Sequence, residues 1–209
     1  ASSDNPYLII IEPGNYDVGS ISFQMKEYVD IQGSGENTTI ISGNISSTDS
    51  PYKGVVIGSD NSEIRFLTVK NTGSGAHVIA ICNSGSSPDI IHVTAESNGG
   101  SFSHGILNNY ASPHLIHVTA TASGNSSCFG VFNKNSQTKM LNVIAKASNG
   151  NSCYGIFNES SSPEMNMVTS EAFDCEDCYG VYNNSSSPIM VDVNTKGSNG
   201  NDENYGIYN

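Results

Sequence analysis

A tandem repeat of about 25 residues is the feature that most constrains what this chain can fold into. The pentads HGILN, FGVFN, YGIFN, YGVYN and YGIYN recur at equal intervals, except that the last interval is one residue longer. Their glycines are Gly105, Gly130, Gly155, Gly180 and Gly206. A second block, SSPEMNMVTS in its clearest form, follows each pentad and keeps the same spacing. A fixed period of this length indicates a solenoid or an array of small units.

The repeat unit reads as strands rather than helices. Each unit holds two short runs rich in Val, Ile and aromatic residues that alternate with period 2, separated by Pro and by Gly, Asn and Ser. No helical stripe and no recurring Leu pattern occurs, which excludes ankyrin, tetratricopeptide and leucine-rich units. We therefore predict an all-β parallel β-helix with one repeat per coil, about eight coils and a length of roughly 40 Å. The prediction is one domain over 1–209, with irregular opening coils in 1–79 and regular coils in 80–209.

Two stretches carry a family resemblance. Residues 9–43 (IIIEPGNYDVGSISFQMKEYVDIQGSGENTTIISG) combine a strand, P-G-x-Y, an apolar strand and I-x-G-S-G, and 55–70 (VVIGSDNSEIRFLTVK) continue as a further coil. They resemble the right-handed parallel β-helix proteins of the pectin-lyase-like class, and 80–209 resemble the tandem repeats of secreted bacterial β-helix proteins. The resemblance implies a right-handed solenoid. Because this fold carries lyases, esterases, hydrolases, adhesins and inert stalks, it does not imply one activity.

Equivalent residues of stacked coils form ladders along the axis. We expect a core stack at Ile90, Leu115, Met140, Met165 and Met190. Asparagines at the end of each pentad predict a hydrogen-bonded amide ladder, formed by Asn83, Asn108, Asn133, Asn158, Asn183 and Asn209. Glycine is unfavourable inside a strand unless something packs closely on it, so we expect a neighbouring aromatic ring against the glycine ladder.

Two aromatic-rich positions flank the glycine. The first contains His104, Phe129, Tyr154, Tyr179 and Tyr205, and the second Leu107, Phe132, Phe157, Tyr182 and Tyr208. They lie three positions apart, so strict period 2 predicts one internal and one external row. An external row could bind sugar rings or another molecule, and the alternative is simple stacking within the solenoid.

Cysteines also share a position. Cys128, Cys153 and Cys178 are equivalent on three coils, and coil spacing permits a disulfide. Two schemes stay open: Cys128–Cys153 with Cys175–Cys178, or Cys153–Cys178. Cys82 stands alone in the outer row and is expected to be a free thiol.

Acidic residues gather in two neighbouring turns. The carboxylates at 174–177 and 202–203 could ligate Ca²⁺, and the competing interpretation is two solvated loops. The candidate ligands are Asp174, Glu176, Asp177, Asp202 and Glu203. No other cofactor is predicted.

Charge and motif content narrow the function. Eight Lys and Arg against 20 Asp and Glu give a net charge of −12, which disfavours nucleic acid, anionic lipid and polyuronate as partners. No apolar run approaches the roughly 18 residues of a membrane span. The single arginine, Arg65, and the absence of a readable catalytic motif predict that the chain is not an enzyme. The Ser- and Asn-rich, acidic composition suggests an extracellular or cell-surface location.

The two ends complete the prediction. Only ASSDNP precedes the first apolar strand, and the last residues, NYGIYN, are in phase with the repeat. A β-helix end is a row of unpaired backbone groups that normally needs a cap. A trimmed fragment, a capping partner and head-to-tail stacking all remain open. We expect a non-catalytic structural solenoid that joins copies through Tyr7, Leu8, Ile9, Ile10, Tyr205, Ile207 and Tyr208. The alternatives are a carbohydrate-binding or adhesin module and a polysaccharide-acting enzyme.

Overall fold

A computed structural model describes residues 1–48 and 50–209, and this part of the chain contains strands, turns and bends but no helix. The strands pair in parallel in two sheets. They are β1 (Tyr7–Ile10), β2 (Gly14–Asp17), β3 (Phe23–Gln24), β4 (Val29–Gln32), β5 (Thr39–Gly43), β6 (Val56–Ile57), β7 (Glu63–Asn71), β8 (His77–Ser84), β9 (Asp89–Asn98), β10 (Phe102–Asn109), β11 (His114–Ile116), β12 (Thr119–Ser123), β13 (Ser127–Lys134), β14 (Lys139–Leu141), β15 (Ile144–Ser148), β16 (Ser152–Glu159), β17 (Glu164–Asn166), β18 (Thr169–Phe173), β19 (Asp177–Asn184), β20 (Ile189–Val191), β21 (Asn194–Ser198) and β22 (Glu203–Tyr208).

The strands wind into eight coils, which confirms the predicted parallel β-helix. Coil 1 contains β1 to β3, coil 2 contains β4 to β6, coil 3 contains β7 and β8, and coil 4 contains β9 and β10. Coils 5 to 8 contain three strands each, ending with β20 to β22. One inward-facing ladder links all eight coils: Ile9, Ile31, Ile64, Ile90, Leu115, Met140, Met165 and Met190.

The step between coils is irregular at first and then uniform. Tyr7 pairs with Val29 and Ile31 pairs with Ile64, so the second coil is much longer than the first. From β8 onward, asparagines that are neighbours in the β8–β22 sheet are 25 apart in the sequence, and only the final step, from β19 to the end of β22, is 26.

Three corners bend each regular coil, and residues with left-handed backbone occupy them. One corner lies within β9 and, in the later coils, just before β12, β15, β18 and β21, and its φ values lie between 50° and 53°. Its residues are His92, His117, Asn142, Met167 and Asp192. A second corner holds Tyr110, Asn135, Ser160 and Ser185, and a third Asn149, Asp174 and Asn199. Left-handed φ is uncommon for residues other than Gly, Asn, Asp and His, so the stacked coils impose this conformation on Met167.

The glycine ladder lies against the opposite wall of the coil, not against an aromatic ring as expected. A Cβ on Gly155 would lie 2.7 Å from both the Glu171 backbone nitrogen and the Gly180 carbonyl oxygen. Gly105 and Gly130 face backbone in the same way. Two walls therefore approach each other so closely at this point that no side chain fits between them.

Candidate functional site

The asparagine ladder is a continuous chain of side-chain hydrogen bonds. Each Nδ2 donates to the Oδ1 of the coil above, from Asn83 to Asn209, over 2.7 to 2.9 Å. Thr138 supports the ladder by donating its hydroxyl to the Oδ1 of Asn133 at 2.7 Å. Four of these asparagines have no exposed surface. The ladder joins successive coils and satisfies its buried amides except at its first member, where the Oδ1 of Asn83 has no hydrogen-bond partner. These side chains therefore have a structural role.

The two aromatic rows lie on the same outer face, so the prediction of opposite faces was wrong. Pairing between β10 and β13 passes over Gly105 and resumes at Ile106, which belongs to the main core. Gly105 and Ile106 are consecutive and both face inward, which shifts the alternation by one residue. His104 and Leu107 consequently face outward together. The equivalent pair Phe129 and Phe132 has ring centroids 5.0 Å apart.

We call this surface the outer strip. Its first row is Ile79, His104, Phe129, Tyr154, Tyr179 and Tyr205, and its second is Cys82, Leu107, Phe132, Phe157, Tyr182 and Tyr208. Along the first row, rings from His104 to Tyr205 stack at 4.8 to 5.7 Å and within 8° of parallel. The second row breaks at Tyr182, whose ring is turned 70° from Phe157 and 90° from Tyr179.

A flap formed by residues 44–48 and 50–55 covers the strip in coils 3 and 4. Ser47 pairs with His77, and the Tyr52 ring meets His77 edge-on at 5.1 Å. The thiol of Cys82 donates to the Tyr52 carbonyl at 3.7 Å. Burial at this end lowers the pKa of His104 to about 3, with the nearby His77 acting in the same direction. From coil 5 upward the described residues place no flap on the strip, and Tyr205 and Tyr208 are each 38% exposed.

The disulfide joins Cys153 to Cys175, so both predicted pairing schemes were wrong. The two Cα atoms are 6.1 Å apart. Cys128, Cys153 and Cys178 are register partners as predicted. Partners in parallel strands have side chains that point the same way, so their Cβ atoms are about 4.8 Å apart, more than the roughly 3.8 Å of a disulfide. Cys175 lies in the loop between β18 and β19 and approaches Cys153 from another direction.

The remaining thiols are buried. Burial raises the pKa of Cys82 and of Cys128 to about 12, and it also raises the pKa of Cys178. Cys82 is a free thiol in the outer strip. A buried thiol with a raised pKa is a poor nucleophile.

The predicted calcium ligands do not converge. Asp174 accepts from Asn199 at 3.0 Å, and Glu203 accepts from the Tyr179 hydroxyl at 2.6 Å. Asp177 and Glu203 are register partners, while the Asp202 nitrogen binds the Glu176 carbonyl. Within 1–48 and 50–209, no three His, Cys, Asp or Glu side chains are arranged to hold a metal ion. The structure thus gives the calcium hypothesis no ligand cluster.

A ladder of ionisable side chains on the outside of the other sheet was missed at the sequence level. Asp30, Glu63, Asp89, His114, Lys139 and Glu164 share one outward position on coils 2 to 7. His114 pairs with Asp89 at 3.0 Å, and Arg65 pairs with Glu63. Asp30, Glu63 and Asp89 line a groove of about 350 Å³. The longer steps from Asp30 to Glu63 and from Glu63 to Asp89 hid these neighbours from a search at the regular period.

In both end coils the same position is apolar. Leu8 precedes Asp30 in coil 1, and Ile189 follows Glu164 in coil 8. Beside them, Ile10 and Val191 share a second outward position, and all four side chains are exposed. The predicted end residues Tyr7–Ile10 and Tyr205, Ile207 and Tyr208 are also exposed, but they lie on different walls. The counterpart of β1 in the last coil is β20, and that of β22 in the first coil is β3.

The comparisons with known proteins support the fold. The chain is similar to the pectin methylesterase from Yersinia enterocolitica, with a TM-score of 0.54 and 10% identity over 89% of this chain and 86% of that one. The carrot pectin methylesterase has a TM-score of 0.47 and 15% identity over 89% of this chain and 75% of that one. The Azotobacter vinelandii mannuronan C-5 epimerase AlgE6 A-module has a TM-score of 0.47 and 13% identity over 91% of this chain and 68% of that one. No protein-family model and no curated protein sequence matches the chain.

Identities this low establish architecture and not chemistry. The described residues include no helix with the length and apolarity needed to span a membrane. The chain shares the right-handed parallel β-helix fold of the Yersinia enterocolitica pectin methylesterase.

Proposed function

We propose that this chain is a non-catalytic structural β-solenoid that acts outside the cell and joins copies end to end. One observation carries the proposal: an outward position holds an ionisable side chain in six successive coils and an apolar one in both end coils, at Leu8 and Ile189. A free end in water would favour the opposite pattern. Apolar residues at an end are favourable when another surface covers them.

Register supports a head-to-tail contact. Stacking coil 8 of one copy beneath coil 1 of the next would set β20 against β1, with Ile189 next to Leu8 and Met190 next to Ile9. β1 and β20 each have one strand partner in the described chain, so each offers free backbone groups for strand addition. Such a contact is heterologous and does not close, so it produces a filament.

The proposed location rests on two features. The acidic, Ser- and Asn-rich composition suits a surface protein, and a disulfide between Cys153 and Cys175 is typical of an oxidising compartment.

The test uses charge substitutions that copy residues of the inner coils. Leu8→Lys and Ile189→Glu place charged side chains in the end coils. Lys139 and Glu164 already occupy this outward position in the inner coils. We expect the wild-type protein to form thin unbranched fibres in negative-stain micrographs over a concentration series. Each variant alone should stay as short rods, and a mixture of the two should regain fibres because the introduced charges are opposite and meet at the joint. Ile144→Lys, an outward change in the middle of the rod, serves as the matched control and should leave fibres intact.

Two results would overturn the proposal. Short rods of wild-type protein at every concentration would remove end-to-end assembly. Release of reducing ends or unsaturated products from a polysaccharide, abolished by Asp30→Asn or Asp89→Asn in the acidic groove, would instead establish an enzyme.

A further inference from the structure

The outer strip changes composition at the edge of the flap. Under the flap, in coils 3 and 4, its members are Ile79, Cys82, His104 and Leu107, with at most 2% of their surface exposed. Beyond the flap, in coils 5 to 8, all members are Phe or Tyr. Phe129 and Tyr179 are buried by neighbouring rings, and the other six are partly or well exposed. Five of these eight are tyrosines, which combine a flat apolar ring with a hydroxyl that can remain in water.

The ring of Tyr182 does not stack in parallel on the second-row ring of the coil below. In coils 4 to 7 the first-row rings lie nearly parallel, so each is stacked with its neighbours. Tyr182 is turned 70° from the ring below it, Phe157, and 88° from Tyr154, and is near-parallel only to Tyr208. One face of Tyr182 stacks on the Tyr208 ring above it, with ring centroids 4.8 Å apart. The rings beneath it meet Tyr182 edge to face rather than in parallel. The chain thus presents a half-buried aromatic surface where the ladder breaks.

The borders of the open strip are polar and carry little positive charge. On one side Lys134 and Glu159 neutralise each other at 3.3 Å, next to Asn109 and Asn184. On the other side the Ser152 hydroxyl donates to Asp177. Such borders offer hydrogen bonds to hydroxyl groups and repel an anionic chain.

We propose that the open part of the outer strip, centred on Tyr182, binds a neutral polysaccharide that runs along the axis of the rod. Sugar rings present flat C–H faces that pack on aromatic rings, while their hydroxyls reach the polar borders. Repeating aromatic positions, one coil apart, suit a ligand that is itself a repeating chain. The site lies on the side of the rod, so it does not depend on the end-to-end contact.

Affinity gel electrophoresis tests the proposal with soluble galactomannan, xyloglucan and mixed-linkage β-glucan as neutral probes and polygalacturonate as the anionic probe. The Leu8→Lys background keeps the protein as single rods. We expect retardation in at least one neutral gel and none in polygalacturonate. Tyr182→Ala should weaken binding about tenfold, the range of an aromatic contact, and Tyr182→Phe should retain it. Tyr110→Ala is the matched control, because Tyr110 is a 67% exposed tyrosine at a corner outside the strip.

The outcomes are decisive in both directions. Absence of retardation in every neutral gel, retardation only by polygalacturonate, or equal retardation of the Tyr182→Ala and Tyr110→Ala variants would overturn the site. Circular dichroism of each variant checks that the strands remain, and Tyr182→Phe separates loss of the ring from loss of the fold. Fibres can fail while glycan binding persists, so the two proposals are tested separately.

Discussion

Coils 1 and 2 stack differently from coils 5 to 8. The early coils vary in length, and Met25 and Gly58 occupy the position that asparagine fills from coil 3 onward. The later coils are uniform and repeat the same side chain in the same place, joined by amide hydrogen bonds. An irregular coil needs particular long-range contacts, such as the flap, whereas a regular coil needs only a copy of itself.

The largest expected effect comes from the glycine ladder. Gly155→Ala should lower the free energy of unfolding by about 3 kcal/mol or more, because the added Cβ meets backbone of the opposite wall. Gly14→Ala in coil 1 is the control, since its nearest atom would be Tyr16 Cε2 at 3.4 Å. Urea unfolding of both variants measures the difference. Equal losses would show that the regular coils are not more tightly packed at glycine than the first coil.

The amide ladder gives the next largest effect. Asn133→Ala removes one of the two acceptors of the Asn108 Nδ2, which also donates to the Thr138 hydroxyl oxygen, and it removes the donor to Asn158. All of these groups are buried. We expect a loss of about 2 kcal/mol, while Met25→Leu in the same position of coil 1 should cost less than about 1.5 kcal/mol. Chemical denaturation again gives the comparison. Indistinguishable losses would mean that the ladder adds nothing beyond apolar packing.

Removing the flap contact should affect only the covered end. Tyr52→Ala is expected to lower stability by about 2 kcal/mol, and Tyr182→Ala by about 1 kcal/mol, because Tyr182 lies on the open strip. Tyr52→Ala should also make the Cys82 thiol react with a thiol reagent, since burial is what raises its pKa to about 12. Labelling rates of the folded variants report this directly. A Cys82 that stays inert in Tyr52→Ala would contradict the covering role of the flap.

The smallest expected effect is the change in the free energy of unfolding in mildly acidic solution, which depends on His104 under the flap. His104 has a pKa of about 3 in the folded chain against 6.5 normally, so the unfolded chain binds a proton that the folded chain does not. Stability should therefore be full above pH 6.5 and fall as the pH drops toward 3, with a loss of about 1 kcal/mol near pH 6. His104→Phe, which copies the next coil, should flatten this part of the pH profile.

Sequence reasoning worked best where the repeat is strict. The regular step correctly predicted eight parallel coils, because in-register stacking turns sequence period directly into spatial neighbours. It also led to the right cysteine and asparagine neighbours. It missed the outer neighbours Asp30, Glu63 and Asp89, because the steps between them along the sequence differ from the regular period. It also named Tyr7–Ile10 and Tyr205, Ile207 and Tyr208 as end residues without showing that they lie on different walls, because the position of a strand around the coil depends on the corners.

The amino-acid sequence by itself determined the class of fold, the number of coils and the members of the core and asparagine ladders, since these follow from the repeat period. Only the tertiary structure decided three further features: the face of the aromatic rows, the disulfide pairing and the backbone conformation of the corners. Two consecutive inward residues at Gly105 and Ile106 put both aromatic rows outside. The loop position of Cys175 gave the disulfide its direction of approach. Left-handed corners at residues such as Met167 are imposed by stacking, because no local preference favours them.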